Sequence, residues 1–114
     1  YFNILILLLM SHMIGDFVLQ SSVMAEGKNP TKNNAIDSLW WLTAHGATHG
    51  LLVILVTGIP LLGLLEMIMH CSIDHGKCIK LYTFNTDQLL HIICKIVLSF
   101  LALNLTSTTL GLIK

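Results

Sequence analysis

Four stretches of this chain each carry two residues able to bind a metal or move a proton, spaced four apart: His12 and Asp16, His45 and His49, His70 and Asp74, Asp87 and His91. On an α-helix such pairs share one face, one turn apart. Imidazole and carboxylate donors together suit zinc, iron or manganese. A lone His in an apolar helix is usually a packing residue, but the same pair recurring in four segments points to a shared centre. The ligand set is read as His12, Asp16, His45, His49, His70, Asp74 and His91. All but His12, the deepest, form its core. Three or four donors saturate one ion, so the set suits one or two. Asp87 and Glu66 are the carboxylates read as a general base; Asp87 could equally cap its helix. Gln20, Lys77 and Lys95 continue the ligand faces and could orient ligands. Glu66 with Lys95 is equally readable as a buried ion pair. Lys77 is read as a rim lysine that could meet an anionic substrate. His75 faces away from the His70/Asp74 stripe, and Cys71 points about 100° from His70, so both are left out of the set.

The elements that must position these residues are apolar. Of 114 residues, 54% are hydrophobic and 11% charged, with a mean hydropathy of +0.79. Soluble domains carry about a quarter charged residues. Disorder and an ordinary cytosolic enzyme are excluded on these grounds. Six Lys balance six acids and there is no Arg, so no basic face exists for nucleic acid. Three Cys without a C-x-x-C suggest neither a disulfide framework nor a zinc ribbon.

A crossing of the bilayer takes about 20 helical residues. The spacing predicts an all-α polytopic membrane protein, one domain over 1–114, with four transmembrane helices near 2–24, 38–57, 60–79 and 87–110 in a bundle. Polar residues within the first segment and the lack of a basic start argue against a signal peptide. Gly27, Pro30 and the Asn pair make 25–36 a loop, where Lys28 and Lys32 want water. Asp37 or Ser38 caps the second helix. From Ser38 to Cys78 the chain is too long for one crossing, and Thr57-Gly58-Ile59-Pro60 supplies a tight turn. Asn85-Thr86-Asp87 is read as the cap of the last helix. Trp40 and Trp41 fit an aromatic belt, and no stripe of small residues stands out for helix association.

Loops 25–36 and 80–86 share one side with Lys28, Lys32, Lys77 and Lys80, against Lys114 on the other. The positive-inside rule makes that side cytoplasmic. Counted from it at 1.5 Å per residue, Asp16, His45 and His70 lie roughly 10–14 Å deep, Asp74 and His91 roughly 6–8 Å, and Asp87 at the surface. The pairs therefore fall in one layer, in the cytoplasmic half. Charged groups there cost at least ~2.5 kcal/mol each unless paired, hydrated or bound to an ion.

The motifs H-x-x-G-D-F-x-L-Q (His12 to Gln20), H-x3-H (His45, His49), H-x3-D-x2-K (His70, Asp74, Lys77) and D-Q-x-x-H (Asp87, Gln88, His91) resemble the domain-of-unknown-function family numbered thirty-three-oh-seven. That family comprises small multi-pass membrane proteins of bacteria and phage. The resemblance spans nearly the whole chain and implies the architecture, but no activity. A looser likeness is to membrane-bound metal-dependent hydrolases and zinc-dependent phospholipase C-like enzymes.

The leading functional reading is a zinc-dependent hydrolase in the bacterial inner membrane, acting on a lipid or lipid-linked phosphate. Three alternatives stand beside it: a di-iron or di-manganese redox protein, metal transport or sensing, and a structural membrane subunit. The expected partners are the bilayer and such a substrate, with a homo-oligomer or larger membrane complex open.

Overall fold

The computed structural model describes residues 2–32 and 37–113, with side chains up to 105. Part of the 25–36 loop thus lies outside the described residues. The chain is all-α. Its elements are α1 (Phe2–Met13), a π-helical segment (Ile14–Val18), α2 (Ser22–Gly27), α3 (Ser38–Thr57), α4 (Pro60–Cys78) and α5 (Phe84–Ile113). Helices α1, α3, α4 and α5 pack in a ring in that order, and α2 lies on α3. Helices α3 and α5 (Phe84–Leu105) are long and apolar enough to cross a membrane. The apolar helix Phe2–Val18 is shorter, and α4 is diluted by Glu66, Asp74 and Lys77.

Local sequence explains the ends of α3 and α4. Asp37 caps α3 by accepting from Leu39 N, and Gly58 closes it at φ 73°. Pro60 opens α4 in its first turn, where the missing N–H costs nothing. Three glycines bring the two helices together. A Cβ at Gly46 would strike the Cys71 Sγ, and one at Gly50 or Gly63 would strike backbone across the interface. Gly46 and Gly50 are thus a small-xxx-small pair that apolar-run reading passed over. It serves packing within the chain.

Two expectations are corrected. The helix foreseen over 2–24 is interrupted. At Ile14–Val18 the backbone widens, with Leu19 N bonding Ile14 O. Gln20 Nε2 donates to the Asp16 carbonyl, and Ser21 recaps the chain by accepting from Met24 N. The last helix begins at Phe84, not Asp87. Thr83 Oγ1 accepts from Thr86 N, so Thr83 is its cap and Asp87 lies inside it.

The bundle has an apolar end and a polar end. Leu8, Val53, Ile59, Leu62, Leu98 and Ala102 form the buried apolar cluster. Toward the α4–α5 connection the interior changes character. Among the described residues, buried polar or charged side chains outnumber buried hydrophobic ones, while many large hydrophobics are exposed.

Candidate metal centre

The centre is built around Asp16. The π-helical widening at Ile14–Val18 interrupts the α-helical register and carries this carboxylate between α3, α4 and α5. Such insertions are frequent at functional sites because they re-aim one side chain. The close approach depends on Gly15, where any Cβ would overlap the His49 ring.

Three imidazoles converge on one oxygen. Asp16 Oδ1 lies 2.9 Å from His49 Nε2, 3.2 Å from His45 Nε2 and 3.3 Å from His70 Nε2. The other oxygen accepts from Gln88 Nε2 at 2.9 Å and stands 3.5 Å from His12 Nε2. His45 Nε2 and His70 Nε2 are themselves 3.1 Å apart. The His49 and His70 rings stack at 3.6 Å, and those of His70 and His91 at 4.1 Å.

Hydrogen-bond logic fixes the His70 tautomer. Lys95 Nζ donates to Glu66 Oε1 at 2.7 Å, which makes Glu66 an acceptor. His70 Nδ1–H therefore donates to Glu66 Oε2, at 3.1 Å. In the neutral ring, Nε2 then aims a lone pair at the Asp16 carboxylate and at His45. That arrangement is repulsive unless a cation, proton or metal, lies among them. A carboxylate holding the far nitrogen of a histidine is the usual outer support of a metal ligand.

The donor spacing fits an ion. Nitrogen and oxygen donors about 2.0–2.2 Å from zinc in a tetrahedron stand roughly 3.3–3.6 Å apart. The separations around Asp16 Oδ1, 2.9 to 3.3 Å, lie at or a few tenths of an ångström below that spacing, so an ion would need the donors to open slightly. His12, Asp16, His49 and His70 offer donors mutually within 4.8 Å, and so do three further groups: His45, His70 and Asp74; Glu66, His70 and His91; Asp16, Asp87 and His91. All seven residues read as ligands thus meet in one region.

Several roles differ from expectation. Lys28, read as a solvated loop lysine, is 3% exposed and ion-paired to Asp74 Oδ2. It ends α2, whose Gly27 packs on Trp41, so the helix carries it inward. Lys77 Nζ lies 3.4 Å from Asp74 Oδ1. Asp74 therefore stands between two lysines, with His45 Nε2 at 3.6 Å. Asp87, placed at the surface by depth counting, is buried, 3.3 Å from His91 Nε2. Neither nitrogen of His91 has a hydrogen-bond partner, nor does Asp87 Oδ1. Glu66 is fully committed to Lys95 and His70. Gln20 supports the Asp16 backbone rather than its carboxylate.

Gln88 was missed. It contacts His12 Nε2 at 3.0 Å and donates to Asp16 Oδ2, and to Asp87 Oδ2 at 3.2 Å. The signal was present in the D-Q-x-x-H motif, but an amide is not a ligand type. Tyr82, in the α4–α5 connection, donates to the Ile73 carbonyl. Burial and the Asp87 and Asp74 charges push its phenol up from the ordinary value, which keeps it a donor. An apolar cleft of about 420 Å³ between α3 and α4, lined by Gly50, Ile54, Gly63 and Met67 among others, holds none of these residues.

Comparison with known proteins adds one match. A family model described as a protein of unknown function (DUF3307) covers residues 4–113, and the chain belongs to that family. No curated protein and no solved structure matches it.

Proposed function

We propose that this chain is an integral membrane metalloprotein, with zinc-dependent hydrolysis of a lipid or lipid-linked phosphate as its activity. The carrying observation is the convergence of His45, His49 and His70 Nε2 on Asp16 Oδ1, with His70 held from behind by Glu66 and Lys95. Four crossings by α1 with its π extension, α3, α4 and α5 are supported by the inverted distribution of polarity. An apolar solvent around the bundle accounts for the exposed Leu, Ile and Phe and for the buried charges. In this reading the α4–α5 connection faces the cytoplasm of a bacterial cell. With Lys28 and Lys77 engaged at the site, Lys32 and Lys80 carry the remaining loop charge.

Asp16, His45, His49 and His70 would hold the ion, with His12, His91 and Asp74 around them. When bound, zinc polarises a phosphoryl or carbonyl oxygen and acidifies water. The protein's own residues do the rest. Gln88 orients Asp16 and Asp87 together. Asp87, whose Oδ1 stands 3.3 Å from His91 Nε2 without a hydrogen bond, is the carboxylate better placed to take a proton; Glu66 is held by Lys95 and His70. Lys77, a quarter exposed at the rim, faces an incoming anionic headgroup. A Glu-rich redox centre is less well supported, because the one Glu in a span is bound to Lys95.

The test is zinc content together with phosphate release from phosphatidic acid vesicles. Asp87→Asn should retain zinc and lose release. A parent that holds zinc but releases no phosphate from any lipid phosphate would contradict hydrolysis while leaving the metal reading intact.

A further inference from the structure

The histidine cluster has a second flank. Glu66, His70 and His91 offer donors within 4.8 Å of one another, with Glu66 at His70 Nδ1, the nitrogen opposite the one that faces Asp16. By composition this is another cation position. It already faces a charge, since Lys95 Nζ sits 2.7 Å from Glu66 Oε1 with the whole side chain 1% exposed. Lys95 lies one turn beyond His91 on α5, on the same face. A fully buried lysine in an apolar helix is costly unless its charge is used. Here it occupies the carboxylate that a second ion would need.

Among the described residues the ion-paired cluster at the polar end holds four carboxylates, Asp16, Glu66, Asp74 and Asp87, and three lysines, Lys28, Lys77 and Lys95. With neutral imidazoles this leaves one negative charge. One divalent ion turns the sum to plus one, which a hydroxide or a singly charged phosphate ester balances. Two divalent ions would leave plus three in a low-dielectric interior, a costly excess.

We infer that Lys95 is a built-in cation standing in place of a second metal, so that the centre takes a single divalent ion. This rests on the metal reading above. Removing the ammonium should free Glu66 and let Glu66 and His91 take a second ion, with His70 joining as a bridging imidazolate once its Nδ1 proton passes to solvent.

The experiment measures zinc per chain in the full-length protein in detergent, after loading with excess zinc and desalting. The parent and Lys95→Arg should each hold one zinc. Lys95→Met should hold two. Lys95→Gln keeps a hydrogen bond to Glu66 without the charge; it serves if the Met variant fails to fold, and should also hold two. Two zinc ions in the parent, or one in the neutral variants, would overturn the inference and leave the metal centre standing. A parent without zinc would remove the metal centre and this inference with it.

Discussion

The two ends of the bundle are held together by different physics. At the apolar end Leu8, Val53, Leu62, Leu98 and Ala102 interlock, and each contact is interchangeable with many others of like volume. At the polar end nearly every buried side chain has a named counterpart: Asp16 with three imidazoles, Glu66 with Lys95, Asp74 with Lys28. In the proposed bilayer setting the apolar end would gain little from burial, because the solvent there is as apolar as the core. The polar end gains from satisfying groups that lipid cannot satisfy. Change at one end should therefore be graded, and at the other all-or-none.

The largest effect is expected at Asp16. Asp16→Ala removes the shared oxygen and leaves three imidazoles facing a void. Metal affinity should fall by about 100-fold or more, beyond the 10–100-fold typical of losing an outer support. Zinc retention on a competing chelator measures it. An affinity within tenfold of the parent would mean that Asp16 pairs histidines and binds no ion.

Asp74→Asn comes next, and here two physical readings compete. Taken as a ligand change alone, it should lower metal affinity while easing insertion by removing a charge. With Lys28 beside it, the change also strands a buried ammonium. Breaking a buried pair from one side costs roughly 3–5 kcal/mol. The thermal midpoint of Asp74→Asn in detergent should therefore drop. Lys28→Met with Asp74→Asn should recover much of the loss. A single variant more stable than the parent would contradict the pairing.

The apolar end should respond less. Leu62→Ala is expected to cost about 2 kcal/mol, the low end for core leucines, since lipid reduces the transfer component. Zinc content should stay at the parent value. Gly50→Ala, which forces the α3 and α4 backbones apart, should cost about 1–3 kcal/mol by overpacking. Loss of zinc in either variant would show that the two ends are coupled, against the division drawn here.

The same division decides what was legible in the sequence. The i, i+4 pairs marked the site because ligand chemistry needs particular residue types, and periodicity placed them on facing helices. Helices α3 and α4 were legible through Asp37, Gly58 and Pro60, whose effects are local. The π segment was not, because no residue type encodes it; it follows from fitting Gly15 against His49. Lys28 and Asp87 were misplaced for a related reason. Depth counting assumes a straight helix and a solvated loop, whereas α2 folds back over α3 and α5 starts earlier, at Phe84 behind its Thr83 cap. The glycine contact of α3 with α4 was not legible because Gly46 and Gly50 matter only through what faces them, Cys71 and the Gly63 backbone, which lie in another helix.

The central claim is that the polar end is a metal centre rather than a self-paired structural core. Elemental analysis of the detergent-purified parent tests it most directly, because it reads the identity of the ion and its ratio to protein at once. Zinc is expected at about one per chain, surviving desalting and lost from Asp16→Ala. A folded parent that carries no metal and takes up none when zinc is supplied would contradict it.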